Sequence, residues 1–201
     1  MDYILFYFPN RIIKYLKMYN GGNFLNLVTE YFKYKEWNEK LNSIDKSGDF
    51  KEYSRYYSSI NYKNKIVVDW GADIGSSAIY FLSKGASKVY CYEIDKSKIK
   101  KFNVVKGMPE FKQFDLGNRI KYNPLKAKGD ILKMDIEGSE AKVLSERYID
   151  HFSKFIIALH PQQISSKKFL YLSNMLKNKG ARVYGKVMNS KGLAEVIYIK
   201  Q

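Results

Sequence analysis

The chain has 201 residues, of which 45% are hydrophobic and 27% charged, a balance that excludes a disordered segment and suits one domain with a real core. It carries 35 Lys and Arg against 20 Asp and Glu, a formal charge of +15, divided as +4 over residues 1–65, +3 over 66–140 and +8 over 141–201. No apolar run approaches the roughly 18–20 residues of a membrane span, and a single cysteine, Cys91, excludes an internal disulfide.

The first element read from the sequence is "RIIKYLKMY", a helix with Ile12, Ile13, Leu16 and Tyr19 on one side, stopped by Asn20-Gly21-Gly22. In "NFLNLVTEYFKYKEW", Leu25, Val28, Phe32 and Trp37 recur at roughly helical spacing, and residues 42–59 are polar and read as loop or short helix. Residues 1–62 are therefore expected to form a helical cap leaning on a catalytic core of residues 63–201. The opening "MDYILFYF" has Asp2 in front and no basic cluster, which makes a poor signal peptide, so a cytoplasmic location is expected.

From Lys65 the pattern turns to strands alternating with helices. "KIVVD" is a continuous apolar run ending in an acid, as in a strand covered on both faces. Ile74, Ala78, Phe81 and Leu82 form a helical stripe closed by Gly85, and "KVYCYEI" is a second strand that buries Cys91. "DILKMDI" and "KFIIALH" are further strands, separated by a helix carrying Ala141, Val143 and Leu144. Phe169, Leu172, Met175 and Leu176 mark a helix from Ser165 or Ser166 to Gly180, and "ARVYGKV" and "AEVIYIK" flank the turn "MNSKG" as a closing hairpin. The expected fold class is α/β: a mostly parallel Rossmann-like sheet with a C-terminal antiparallel hairpin.

In such a sheet, ligands sit beyond the carboxyl ends of the strands. The loop after the first strand is Asp69-Trp70-Gly71-Ala72-Asp73-Ile74-Gly75. It lacks the G-x-G-x-x-G of a dinucleotide site, and its two carboxylates would repel a diphosphate. They suit a ligand with a cationic centre and an amine, such as S-adenosylmethionine. Gly71 and Gly75 would let the backbone approach it. Asp69 would lie near the methionine amino group, and Glu93 would accept the ribose hydroxyls. The competing reading is a glycine-rich turn with surface acids in some other α/β protein.

"VVDWGADIGSSAIYFLSKGASKVYCYEID" (67–95) resembles the first cofactor motif of class I S-adenosylmethionine-dependent methyltransferases. "ILKMDIEGSEAKVL" (131–144) closely resembles the K-x-D-x-E-G-x-E-x-x-x-L stretch of FkbM-type methyltransferases, which methylate hydroxyl oxygens, often on sugars or natural products. "FIIALHP" resembles that family's fifth strand. The resemblance covers about residues 65–165. It implies cofactor contacts at Asp69, Gly71, Ala72, Asp73, Gly75, Glu93 and Asp135, and a transfer site lined by Asp135 and Glu137.

The residues themselves agree with that placement. "ILKMDIEG" reads as an apolar strand that breaks at Gly138, so Asp135 and Glu137 emerge at the edge that carries Asp69 and Glu93, two apart and on the same side. The alternative for Glu137, and more so for Glu140, is a favourable interaction with the dipole of the next helix. His160, at the end of "FIIAL", is either a base for a substrate hydroxyl or a hydrogen-bonded structural residue. His151 reads as surface. Two histidines and one cysteine lead to the expectation of no transition-metal site; a hard-cation site at Asp135 and Glu137 stays open, since some O-methyltransferases use magnesium.

Residues 96–129 show no clean amphipathic helix. Strand three is either "FKQFD" or "RIKYN", and the first choice would bring Asp115 to the adenine amino group. Three functions compete. An O-methyltransferase acting on a sugar, glycan or small metabolite is favoured. An RNA methyltransferase would use the basic C-terminal third and the 18 tyrosines. A non-catalytic binding protein on the same fold is the third, motivated by the short 96–129 segment.

Overall fold

The computed structural model describes residues 39, 53, 55–107, 116–119 and 128–201, with side chains for 39, 53, 55–101 and 128–201. The chain divides into two compact units, Met1–Lys40 and Leu41–Gln201, and the sheet and its helices belong to the second. Most of the expected cap, and Asp115, lie outside the described residues.

The described strands are β1 (Ile66–Trp70), β2 (Lys88–Tyr92), β3 (Leu116–Arg119), β4 (Ile131–Met134), β5 (Lys154–Leu159), β6 (Arg182–Asn189) and β7 (Gly192–Lys200). They form one sheet in the order β3-β2-β1-β4-β5-β7-β6. β1 to β5 pair with one another in parallel, whereas β7 runs antiparallel to β5 and β6. This is the expected α/β class with its closing hairpin.

The burial explains the composition. Every residue of β4 is buried, as are all but the first of β1 and β5, because helices cover both faces. Trp70, Tyr148, Phe155, Leu172, Leu176 and Tyr198 belong to one apolar core. A second group joins Tyr57 and Tyr62 to α1 (Ser76–Ser83): the Tyr62 ring lies 5.0 Å and the Tyr57 ring 5.7 Å from that of Phe81. Residues 55–62 are thus fastened to the core by aromatic packing.

Two elements depart from the sequence reading. α2 (Lys96–Gly107) forms without an amphipathic stripe. Its start is fixed by Asp95, whose carboxylate accepts from both the backbone N–H and the hydroxyl of Ser97, each at 2.7 Å. β3 lies between the two candidate segments: Leu116–Arg119 pairs with Val89–Tyr92, so a strand of poor intrinsic propensity is imposed by its neighbour.

Beyond β4 come α3 (Glu140–Val143) and α4 (Glu146–Ile149), then β5 and α5 (Ser166–Asn178). The Ser165 side chain accepts from the Lys168 N–H at the start of α5. Ser165→Ala is expected to cost about 1 kcal/mol in urea denaturation. Among the described residues no helix is long and apolar enough to cross a membrane.

Candidate functional site

The strand order reverses direction between β1 and β4, and the two strand ends open side by side. The loop leaving β1 is tied to both neighbours. On the β2 side, the N–H groups of Gly71 and Ala72 donate to the Tyr92 carbonyl at 2.9 and 3.1 Å. On the β4 side, the Asp135 N–H donates to the Trp70 carbonyl at 3.0 Å. Gly71 has φ +76°, and a Cβ there would lie 1.7 Å from the Asp135 carbonyl oxygen. The close passage of loop over strand therefore demands glycine.

Glu93 closes the loop from the end of β2. One of its oxygens accepts the Asp73 N–H at 2.9 Å; the other accepts those of Ile94 and Asp95 at 2.7 and 2.9 Å. Asp73 has φ +50° and is paired with Lys98 at 2.7 Å. Ala72 is buried, and Gly75, at φ +96°, starts α1. The side chains of Asp73 and Glu93 are half-buried at the rim, which leaves them able to meet a ligand from solvent.

Asp69 lies beneath this loop. The sequence reading sets it against a ligand's amino group; in the structure it has no exposed surface, and its carboxylate meets Lys133 at 3.1 Å and the Ser77 hydroxyl at 2.5 Å. Lys133 is 3% exposed, and its ammonium also donates to the Gly71 carbonyl at 2.6 Å. Burial alone would lower the lysine pKa, but the charges of Asp69 and Asp135 outweigh it and hold the value above the usual one. Asp69 is thus joined to the loop backbone through Lys133.

Asp135, Glu137, Glu140 and His160 gather at the ends of β4 and β5. Glu140 is fully buried and uses one oxygen to accept the Ile136 N–H at 2.9 Å and to meet His160 Nδ1 at 3.0 Å. His160 Nε2 faces Asp135 Oδ1 at 3.5 Å and Glu137 Oε2 at 3.6 Å. Burial would lower the imidazole pKa, yet the hydrogen bond to Glu140 and the charges of Glu140, Asp135 and Glu137 raise it to about 9. Glu137 sits at φ +52°, in the left-handed region, and Gln163 donates to its carboxylate at 2.9 Å. Asp135, Glu140 and His160 each bring a donor atom within 4.8 Å of the others.

Three participants were missed by the sequence reading. Lys133 looks like an interruption of an apolar strand until β1 and β4 are paired, which sets it opposite Asp69. Glu140 reads as a helix-dipole acid, yet it is the buried partner of His160. Tyr53 falls in a segment read as loop or short helix. Its ring lies 5.2 Å from that of Tyr57, and its phenol pKa is raised by burial and by Asp69, Asp73 and Asp135 against the opposing pull of Lys133. His151 is exposed and Cys91 is a buried free thiol, as expected.

No family model matches the chain. Among solved structures, Thermoplasma acidophilum 1320 superposes with a TM-score of 0.55 at 13% identity, covering 83% of this chain and 95% of that one. The ribosomal protein L11 methylase of Lactobacillus delbrueckii subsp. bulgaricus gives 0.51 at 15% identity, covering 72% and 74%. The fibrillarin pre-rRNA processing protein of Methanococcus jannaschii gives 0.50 at 15% identity, covering 70% and 67%. At these identities the likeness concerns the fold, which is the Rossmann-like fold of class I methyltransferases. In sequence, the uncharacterized protein 158B of Sulfolobus islandicus rod-shaped virus 1 is 32% identical over 121 residues, which span 55% of this chain and 70% of that protein. The chain belongs to the family of that viral protein.

Proposed function

We propose that the protein is an S-adenosylmethionine-dependent methyltransferase that methylates a hydroxyl oxygen of a sugar, glycan or small metabolite. The observation that carries this reading is the loop 71–75 at the reversal point of the sheet, held by the Tyr92 carbonyl and the Glu93 carboxylate. The donor set fits the cofactor. Asp73 and Glu93 stand at the rim where a diphosphate would be repelled and a ribose and an ammonium group welcomed. S-adenosylmethionine supplies an electrophilic methyl group on a sulfonium sulfur.

The chain's own residues do the rest. Glu93 accepts from ribose hydroxyls while still holding Asp73. Lys133, anchored on Asp69, fixes the Gly71 carbonyl and with it the loop. Asp135 and Glu137 mark where an acceptor hydroxyl approaches, with His160 behind them. Asp135 takes its proton, because an imidazole with its pKa raised to about 9 already carries one at neutral pH and serves as the base only in alkaline solution. Positioning the acceptor against the methyl group in a part-dry cleft provides most of the rate. The resemblance of "ILKMDIEGSEAKVL" to the FkbM-type stretch favours an oxygen acceptor.

RNA is the second reading. It is favoured by the +8 charge over residues 141–201 and by the exposed Tyr171 and Tyr184. Transfer of a labelled methyl group to a panel of glycans and small hydroxyl compounds, set beside total RNA, separates the two. Label on RNA alone overturns the first reading.

Calorimetry with S-adenosylhomocysteine tests the cofactor. Binding is expected, and Glu93→Gln is expected to weaken it about 10- to 100-fold, the loss of one or two charge-assisted hydrogen bonds. No heat at millimolar ligand for the wild-type protein removes the methyltransferase reading altogether.

A further inference from the structure

We infer that His160, Asp135 and Glu137 form a binding site for a divalent first-row transition-metal ion at the ends of β4 and β5. His160 Nε2 and Asp135 Oδ1 are the fixed pair of ligands, from the group whose donor atoms lie within 4.8 Å of one another. The exposed Glu137 carboxylate turns in to complete the set, and Glu140 is the outer carboxylate that orients the imidazole. The site uses the side chains that the methyl-transfer reading sets beside the acceptor hydroxyl, but ion binding itself does not require that reading to hold.

The first ground is the geometry around the imidazole. Nδ1 is spoken for by Glu140 at 3.0 Å, which turns Nε2 toward the carboxylates of Asp135 and Glu137. Those contacts, at 3.5 and 3.6 Å, are too long for good N–H···O bonds. They are close to the spacing of about 3.4 Å between two ligands that share one tetrahedral ion at about 2.1 Å. His160 is 7% exposed, and among the described residues the contacts of its Nε2 are those two carboxylates.

The second ground is charge. Three carboxylates surround one imidazole, and the Glu140 oxygen Oε2 is buried without a hydrogen-bond partner among the described residues. Even a protonated His160 leaves the group with excess negative charge in a partly desolvated place, which a dication would offset. Ion and proton compete for Nε2, because the same carboxylates strengthen its hold on both.

The third ground is the outer support. A carboxylate on the far nitrogen of a ligating histidine fixes its tautomer and raises its basicity. Glu140 occupies that place and is itself held by the Ile136 N–H. Gln163 holds Glu137 in the same way. An ion has a way in, since the Asp135 side chain is 35% and that of Glu137 75% exposed. One imidazole with carboxylates favours Mn²⁺, Fe²⁺, Co²⁺ or Zn²⁺ over Mg²⁺ and Ca²⁺.

The test uses the full chain, stripped with chelator and titrated with Mn²⁺ under electron paramagnetic resonance, then with Zn²⁺ by calorimetry. A single saturable site is expected. His160→Ala and Asp135→Asn are each expected to weaken it at least about tenfold, Glu140→Gln by about 10- to 100-fold, and the surface change Asp150→Asn not at all. Should His160→Ala fail to fold, Asp135→Asn decides, because its side chain is part-exposed. No binding of either ion at millimolar concentration overturns the site, and so does binding that survives both ligand changes. S-adenosylhomocysteine binding, measured on the same metal-free protein, reports separately on the cofactor reading.

Discussion

Gly71→Ala is expected to abolish cofactor binding and to lower stability by at least about 3 kcal/mol, the scale of a backbone clash added to left-handed strain. The added Cβ would lie 1.7 Å from the Asp135 carbonyl oxygen and 2.8 Å from its carbon. Both are backbone atoms, and no side-chain rotation relieves them. The Asp135 N–H in turn donates to the Trp70 carbonyl, so the strain passes directly into the β1–β4 pairing. The comparison is Gly180→Ala. Gly180 has φ +88°, close to the +76° of Gly71, but nothing lies within 4 Å of a Cβ built there. Its cost is left-handed strain alone, about 1 kcal/mol. Urea denaturation of both variants isolates the clash as their difference. Equal losses in the two proteins would mean that loop and β4 are not in contact as described.

The same close approach explains which parts of the molecule are legible in the sequence. Strands β1, β4 and β5 stand out because burial on both faces demands continuous apolar residues, β2 because Val89, Cys91 and Tyr92 are buried along it, and α1 and α5 because one face of each must be apolar. Glu93 and the loop 71–75 follow from chain order alone, since a parallel sheet brings the ends of β1 and β2 to one edge. α2 and β3 are hidden for the opposite reason. α2 has no stripe and is announced only by the Asp95–Ser97 cap, while the "LGNR" of β3 owes its conformation to β2. The transfer-site cluster is half legible. Asp135 and Glu137 are expected from strand parity, but β4 ends at Met134 and Glu137 has φ +52°, so their approach to His160 comes from the turn after the strand. The role of Glu140 requires knowing that β5 lies beside β4 and delivers His160 to it. Pairing partners far apart in sequence are what periodicity within one segment does not contain.

Lys133 is the sharpest instance, and Lys133→Met is expected to cost about 3–5 kcal/mol, the range for removing one partner of a buried ion pair. For a chain of this size that corresponds to a fall of roughly 6–20 °C in Tm. Asp69 has no exposed surface, and among the described residues it keeps only the Ser77 hydroxyl as a side-chain partner in the variant. The Gly71 carbonyl loses its ammonium donor at the same time. Cofactor affinity is therefore expected to fall even in the fraction that stays folded. Asp69→Asn combined with Lys133→Met removes both charges and is expected to recover part of the loss, giving a coupling of about 1–3 kcal/mol in a double-mutant cycle. The surface pair Lys65–Asp130 provides the scale: its atoms are 3.7 Å apart and its side chains 43% and 39% exposed. Lys65→Met is expected to cost no more than about 1 kcal/mol. If thermal denaturation finds Lys133→Met as mild as Lys65→Met, the ammonium is not buried on Asp69, and the loop is held by its backbone bonds alone.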